Sequence, residues 1–409
     1  MASAAAHKPS NAQIVHEHNG FDAADEADRE ARSYDVLRAA GANDDVARRY
    51  AALYGEMSLD PTAPLGFGRL RGGSQGPRFE RPVDAEQAKA YDRVLAMESQ
   101  SQAEAWFVAK DVAFRQRLDG MAGKIESLRV SEPRRAVELD QEYRLGALAL
   151  LNRDVYFDQS VPELMPAGFA RVTDEVGLAR ATLLPEMLVD EQSDYFAALY
   201  RNERDDSYVY VNRGTDDDRD WSTNLTQALG HGARQYDFAL NNALLIQQSP
   251  IAERTMFTGH SLGGGLASAQ SFKTRIPGIT FNSAGLSSLT LGADGEKRMR
   301  EEPGLVSAFY VKGELLSTLQ DKGPLRAGLT LAAFGSPLLG LAAYGALSQL
   351  PQAAGVRIPM DAVNDPTYDA GKWKAGSRIE ALSFSQSLEL HGMTQVVNSV
   401  MHRLMGLKN

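Results

Sequence analysis

The sequence predicts an α/β fold: a mostly parallel central sheet flanked by helices, preceded by an N-terminal helical region. Two observations predict it. From about residue 141 onward, short apolar runs alternate with helical stretches, the pattern of strands joined by crossover helices. One such run, Met256-Phe257-Thr258, leads into Gly259-His260-Ser261-Leu262-Gly263-Gly264-Gly265, which reads as a strand, a sharp turn and a helix start.

The chain has 409 residues with 43% hydrophobic content, enough for one large core or two domains. A formal charge of -10 and no basic run exclude a general nucleic-acid binder. Cysteine is absent, which excludes disulfides, thiolate nucleophiles and cysteine-ligated zinc. The start, Met1-Ala2-Ser3-Ala4-Ala5-Ala6-His7-Lys8, has no apolar stretch after a charged opening, so ordinary signal-peptide export is not expected. The protein either stays in the cytoplasm or is moved by a specialised machine.

In chain order, residues 1–30 read as a mobile leader, because large apolar groups are few. A short helical pattern follows over 34–54. Residues 60–82 carry repeated Gly, Pro and Arg, including Arg71-Gly72-Gly73 and Gly76-Pro77, and form the best connecting segment. A long helical pattern runs from Asp84 to about Val130, anchored by Leu95, Met97, Trp106, Phe107, Phe114 and Leu118, and Pro133 stops it. A second amphipathic helix is expected over 143–156. The boundary is drawn between residues 1–140, a helical region with its leader, and residues 141–409, the sheet-containing domain. Strands are expected at Tyr208-Val209-Tyr210-Val211, Met256-Phe257-Thr258, Ile279-Thr280-Phe281 and Val306-Ser307-Ala308-Phe309-Tyr310-Val311. In open parallel sheets, ligands and reactive groups gather at the C-terminal strand edges.

A serine hydroxyl is a weak nucleophile at neutral pH. Chemistry at Ser261 therefore needs a histidine to take its proton, a carboxylate to orient that histidine, and N–H donors for an oxyanion. Gly259 and Gly263 flank Ser261 at two residues on either side, which lets strand and helix approach closely. The Leu262 N–H, at the helix start, supplies one donor. The loop Val211-Asn212-Arg213-Gly214-Thr215 follows an earlier strand and supplies the other through Thr215. Glu314, after Phe309-Tyr310-Val311-Lys312-Gly313, leaves a carboxylate on the sheet edge. Of seven histidines, only His391 and His402 lie downstream of Glu314. His391 is preferred because it opens a loop-to-helix segment, whereas His402 inside the final helix reads as exposed or capping.

Asn212-Arg213-Gly214-Thr215, Asp220-Trp221-Ser222-Thr223-Asn224-Leu225 and Gly259-His260-Ser261-Leu262-Gly263-Gly264 together resemble the class 3 lipase family of α/β-hydrolases. The likeness begins near Leu145, at Leu150-Leu151-Asn152-Arg153-Asp154-Val155-Tyr156 and Leu164-Met165-Pro166-Ala167-Gly168-Phe169, and covers roughly the last two thirds of the chain. It implies Ser261 as nucleophile, Thr215 and Leu262 as the oxyanion hole, and His391 as base. The family shows Gly-Asp where this chain has Gly313-Glu314, so the acid is a longer side chain, with Asp294 as the alternative. Gly214, His260, Phe334 and Leu338 are assigned to substrate binding. His260 also has a structural reading, since it points away from the serine on the turn.

Between Arg326 and Arg357 there is no charged residue or histidine, and the apolar insertion is placed at 325–356. Within it, 327–347 nears the length of a membrane span, but Pro337 and Gly328, Gly335, Gly340 and Gly345 interrupt it. A span, an interfacial lid and a buried helical hairpin are the three readings. The carboxylates Asp216, Asp217, Asp218 and Asp220 read as a solvated turn, since the spacing is not that of a calcium loop. Trp221 reads as packing beneath the oxyanion loop.

The expected function is a serine lipase or phospholipase, of A1 type, acting on acyl esters of membrane lipids without metal or cofactor. The combination resembles bacterial lipase effectors. It implies delivery by a specialised secretion system to a target-cell periplasm or membrane, a neutralising immunity protein and a secretion-machinery adaptor, with no nucleic-acid partner. The alternatives are a soluble carboxylesterase and a catalytically inactive membrane-binding protein.

Overall fold

The computed structural model describes residues 84–97, 100, 102–214, 221–286, 288–320, 351–363 and 390–406. The readings made for residues 1–83, for the Asp216 to Asp220 run, for the side chain of Trp221 and for 327–347 lie outside them.

Asp84 caps the first helix, α1 (Ala85–Leu95): its carboxylate accepts the N–H groups of Glu86 and Gln87 at 2.9 and 3.0 Å. The next helix is α2 (Gln102–Ser131), so the expected long helix is two helices. Phe107, Phe114 and Leu118 are buried as anchors, but Leu95, at the end of α1, is 41% exposed. Pro133 ends one helix and starts another. It is the first residue of α3 (Pro133–Asp154), where its missing N–H would have no intrahelical acceptor in any case. Helix α3 therefore begins ahead of residue 143 and passes through residue 140 without a break.

The elements that follow are β1 (Phe169–Val172), α4 (Glu175–Ala179), β2 (Val189–Asp190), β3 (Tyr195–Asn202), β4 (Ser207–Asn212), α5 (Trp221–Gln247), β5 (Thr255–His260) and α6 (Leu262–Thr274). After them come β6 (Gly278–Phe281), α7 (Ser288–Glu301), β7 (Val306–Val311), α8 (Leu315–Gln320), β8 (Val356–Met360) and α9 (Met393–Gly406). One sheet runs β1-β3-β4-β5-β6-β7-β8, with β2 paired to β3. Strands β4 to β8 are parallel, and the pairs β1–β3, β2–β3 and β3–β4 are antiparallel. The fold is α/β with a mostly parallel sheet and an N-terminal helical region, as the alternation predicts.

The four expected strands are β4 to β7. Strand β3 escapes a local reading because Phe196-Ala197-Ala198-Leu199 is as compatible with helix as with strand, and pairing on both sides decides it. Strand β8 carries Pro359, which suits its place as the last strand of the described sheet.

Period-two alternation sends side chains to two apolar layers. Ala198, Tyr200, Val209 and Val211 pack in one cluster with α1, α2, α3 and the Val396, Val397 and Val400 face of α9. Tyr195, Ala197, Leu199, Tyr208 and Tyr210 pack in another with Ala239, Ala243 and Ile246 of α5. No helix among the described residues is long and apolar enough to cross a membrane.

The C-terminal end of α3 carries three consecutive buried polar residues. Asn152 donates to Thr258 Oγ1 of β5 at 2.8 Å, and Arg153 pairs with Glu104 and Asp111 of α2 at 2.9 and 3.2 Å. Asp154 accepts from the Tyr200 hydroxyl at 2.7 Å and the Val161 N–H at 2.6 Å, and pairs with Arg171 at 2.8 Å. Removing one member of such a buried pair strands its partner. Asp154→Ala is expected to lower the unfolding free energy by about 3–5 kcal/mol, read from urea denaturation at neutral pH.

Candidate active site

The strand register levels the C-terminal edge of the sheet. Asn212 of β4 lies opposite Gly259, His260 opposite Phe281, Phe281 opposite Phe309, and Val311 opposite Met360. Ser261 follows β5 directly and has φ 57° and ψ -126°, a region nearly closed to residues with a Cβ. The turn is held by main-chain bonds: the Ser261 N–H donates to Phe281 O at 3.1 Å, and Ser261 O accepts from Gly264 and Ala284 at 3.0 and 2.8 Å. A Cβ on Gly259 would collide with the carbonyl of Gly263, and one on Gly263 with the carbonyl of Asn212. The flanking glycines therefore serve close approach, while the positive φ falls on the serine itself.

Three expected residues meet. Ser261 Oγ lies 2.8 Å from His391 Nε2, and His391 Nδ1 lies 2.7 Å from Glu314 Oε2. A carboxylate only accepts, so Nδ1 carries the imidazole proton and Nε2 is left to accept from the serine hydroxyl. Glu314 is fully buried and has three donors. Besides His391, the Leu316 N–H donates to it at 2.9 Å and the Ser317 N–H at 2.5 Å, so the same carboxylate caps α8. Asp294 is exposed on α7, and the carboxylate against His391 is that of Glu314. His402 is exposed on α9.

Leu262 opens α6, a helix of 13 residues, so its N–H has no intrahelical acceptor and stands at the positive end of the helix dipole. Gly214 closes against the serine: a Cβ there would lie 2.7 Å from His260 O and 3.2 Å from Ser261 Cβ. The loop that carries it is held from behind. Asn212 donates to Gln270 Oε1 at 2.7 Å, and the Arg213 guanidinium sits over Phe196 and pairs with Asp194 at 3.1 Å. Thr215, Phe334 and Leu338 lie outside the described residues. No cluster of metal-ligating side chains forms among the described residues.

His260 is buried, and both its nitrogens are engaged, Nδ1 with the Tyr156 hydroxyl and Nε2 with the His391 carbonyl, each at 2.7 Å. Protein groups thus occupy both polar atoms of the His260 ring. Sequence reasoning does not single out Tyr156 or Asn282. Tyr156 ends the α3 motif and Asn282 follows β6 directly.

Burial, with the nearby His391 ring adding to it, lowers the pKa of His260 to about 3, so it is neutral across the physiological range. The unfolded chain binds this proton below pH 6.5 and the folded chain only near 3, so the histidine's contribution is complete above 6.5 and lost on acidification. Asp111 runs the other way, because burial raises its carboxyl from 3.8 to about 6, and its contribution is lost as pH rises through that range. His260→Gln is therefore expected to reduce the loss of stability between pH 6.5 and pH 4.5. Paired urea titrations of variant and wild type check it, and an unchanged difference refutes it.

The family model that matches this chain is a Tle-like phospholipase domain, over residues 147–364, more than half of the chain. The chain is also similar to an extracellular phospholipase A1 from Serratia liquefaciens, 30% identical over 258 residues, which cover 62% of this chain and 69% of that protein. The family match spans the Gly214 loop, the Ser261 turn and Glu314, and it ends before His391. By these matches the chain belongs to the family of Tle-like phospholipases, with a phospholipase-like activity on lipid esters.

Proposed function

We propose that this protein is a serine phospholipase of A1 type that hydrolyses acyl esters of membrane lipids through an acyl-serine intermediate. The observation that carries the reading is the unbroken line from Glu314 through His391 to Ser261, at 2.7 and 2.8 Å, on a strained turn at a helix N-terminus. Ser261 Oγ attacks the ester carbonyl carbon as His391 Nε2 takes its proton, and Glu314 stabilises the imidazolium. The oxyanion is met by the Leu262 N–H and, in this reading, by Thr215. His391 then protonates the departing lysolipid oxygen. Water attacks the acyl-serine carbonyl carbon as His391 takes its proton; the carbon–Oγ bond then breaks, His391 returns the proton to Ser261 Oγ, and the fatty acid leaves.

The class 3 lipase motifs and the likeness to a phospholipase A1 support the substrate class and position. Residues 141–409 form the hydrolase in this reading, and the segment at 325–356, with Phe334 and Leu338, meets the lipid as an interfacial element. The biological setting we infer is that of a delivered effector, with a neutralising protein in the producer and a secretion adaptor.

Wild type, Ser261→Ala and Glu314→Gln are compared on phospholipid vesicles and on a short-chain soluble ester, with fatty acid and lysolipid quantified. Ser261→Ala and Glu314→Gln are expected to lower kcat by about 10³-fold or more on vesicles. The lysolipid product is expected to keep its sn-2 acyl chain. Turnover of the soluble ester alone would reassign the protein as a carboxylesterase, and release that survives Ser261→Ala would end the serine reading.

A further inference from the structure

We propose that His260, Tyr156 and Asn282 act as positioning residues that clamp the main-chain carbonyl of His391 and so set the base against both of its partners. The proposal rests on the serine–histidine reading above. The His391 carbonyl accepts from His260 Nε2 at 2.7 Å and from Asn282 Nδ2 at 2.8 Å. Asn282 Nδ2 also reaches the Leu390 carbonyl at 3.1 Å.

The partners determine which ring nitrogen of His260 holds the proton. A carbonyl oxygen only accepts, so Nε2 must be the N–H. A neutral imidazole has one such proton, which leaves Nδ1 as an acceptor and makes the Tyr156 hydroxyl, 2.7 Å away, the donor. Tyr156 thus selects the tautomer that can hold His391. Without its hydroxyl, Nδ1 would be buried with no donor, and the proton would be free to move there and leave two acceptors facing each other.

Asn282 makes the second connection. Its Oδ1 accepts the Val311 N–H at 2.8 Å, and its backbone sits at φ 42°, a conformation asparagine tolerates better than most residues. One side chain therefore links the end of β7, three residues before Glu314, to the backbone of His391. His260, which itself adjoins Ser261, likewise ties His391 to the serine turn. His391 belongs to no strand, so the ladder that aligns β5, β6 and β7 does not reach it, and these side chains replace that alignment. The two imidazole rings also pack with centroids 5.0 Å apart, which restricts rotation of the His391 ring.

The test uses the full chain, with Tyr156→Phe, His260→Leu and His260→Gln, and a water-soluble fluorophosphonate that needs no lipid surface. The probe forms an O–P bond at Ser261 Oγ as the P–F bond breaks, fluoride leaves, and the serine proton passes to His391. Tyr156→Phe and His260→Leu are expected to slow phosphonylation and to lower kcat on the soluble ester about 10- to 100-fold, with KM unchanged. The low-field proton resonance of His391 Nδ1–H is expected to shift or vanish in both. His260→Gln keeps an N–H donor toward the carbonyl and is expected to recover to within about tenfold of wild type. Rates are normalised to the folded fraction from circular dichroism. The two His260 variants carry the test if Tyr156→Phe does not fold. Wild-type phosphonylation in folded Tyr156→Phe or His260→Leu, whatever the melting temperature, overturns the clamp. A wild type that the probe does not label at Ser261 overturns the serine reading itself, so the two failures are distinct.

Discussion

The rest of the site depends on the backbone of Ser261, held at φ 57° and ψ -126°. Such a conformation costs roughly 1–3 kcal/mol and persists only where its surroundings over-determine it. Here the determination is threefold. Gly259 and Gly263 let β5 and α6 approach to a distance no side chain would permit, and the Ser261 N–H and carbonyl are both bonded to the segment around Phe281 and Ala284. The turn also brings the first free N–H of α6 next to the serine Oγ. One strained residue thus places a half-buried serine hydroxyl and an electropositive helix end at one point of the sheet edge.

Behind that point, α3 works as a polar spine inside an apolar layer. Asn152 bonds to β5, Arg153 to α2, Asp154 to β1 and β3, and just beyond it Tyr156 bonds to His260. Each of these connections is directional, whereas the leucines and valines around them would tolerate small sliding movements. Buried ion pairs are weak as sources of net stability, since desolvation offsets their attraction. We assign them the role of fixing how α3 sits on the sheet, and with it the helical region that α3 joins to the strands.

Glu314 shows how a longer acid is accommodated. Its carboxylate caps the helix that follows it and receives the His391 N–H, so its reach is used in two directions at once. Three donors around a fully buried carboxylate supply what water would otherwise provide. The proposed base is thereby held at its ring by Glu314 and at its main chain by His260 and Asn282.

Sequence alone determined the layer architecture and the four central strands β4 to β7, and it pointed to Ser261 and His391, with Glu314 or Asp294 as the acid. These are legible because strand alternation, glycine spacing and chain order are local or one-dimensional signals. Tertiary structure decided what they could not: that β3 is a strand, that one helical stretch is two helices, that Pro133 begins α3, and that Glu314 and not Asp294 faces His391. It also decided the partners of the His260 ring, the Tyr156 hydroxyl and the His391 carbonyl. The strand and side-chain outcomes depend on partners elsewhere in the chain, up to 15 positions away in β3 against β4 and 131 positions away for His260 against His391, and such pairing leaves no periodic mark in the residues themselves.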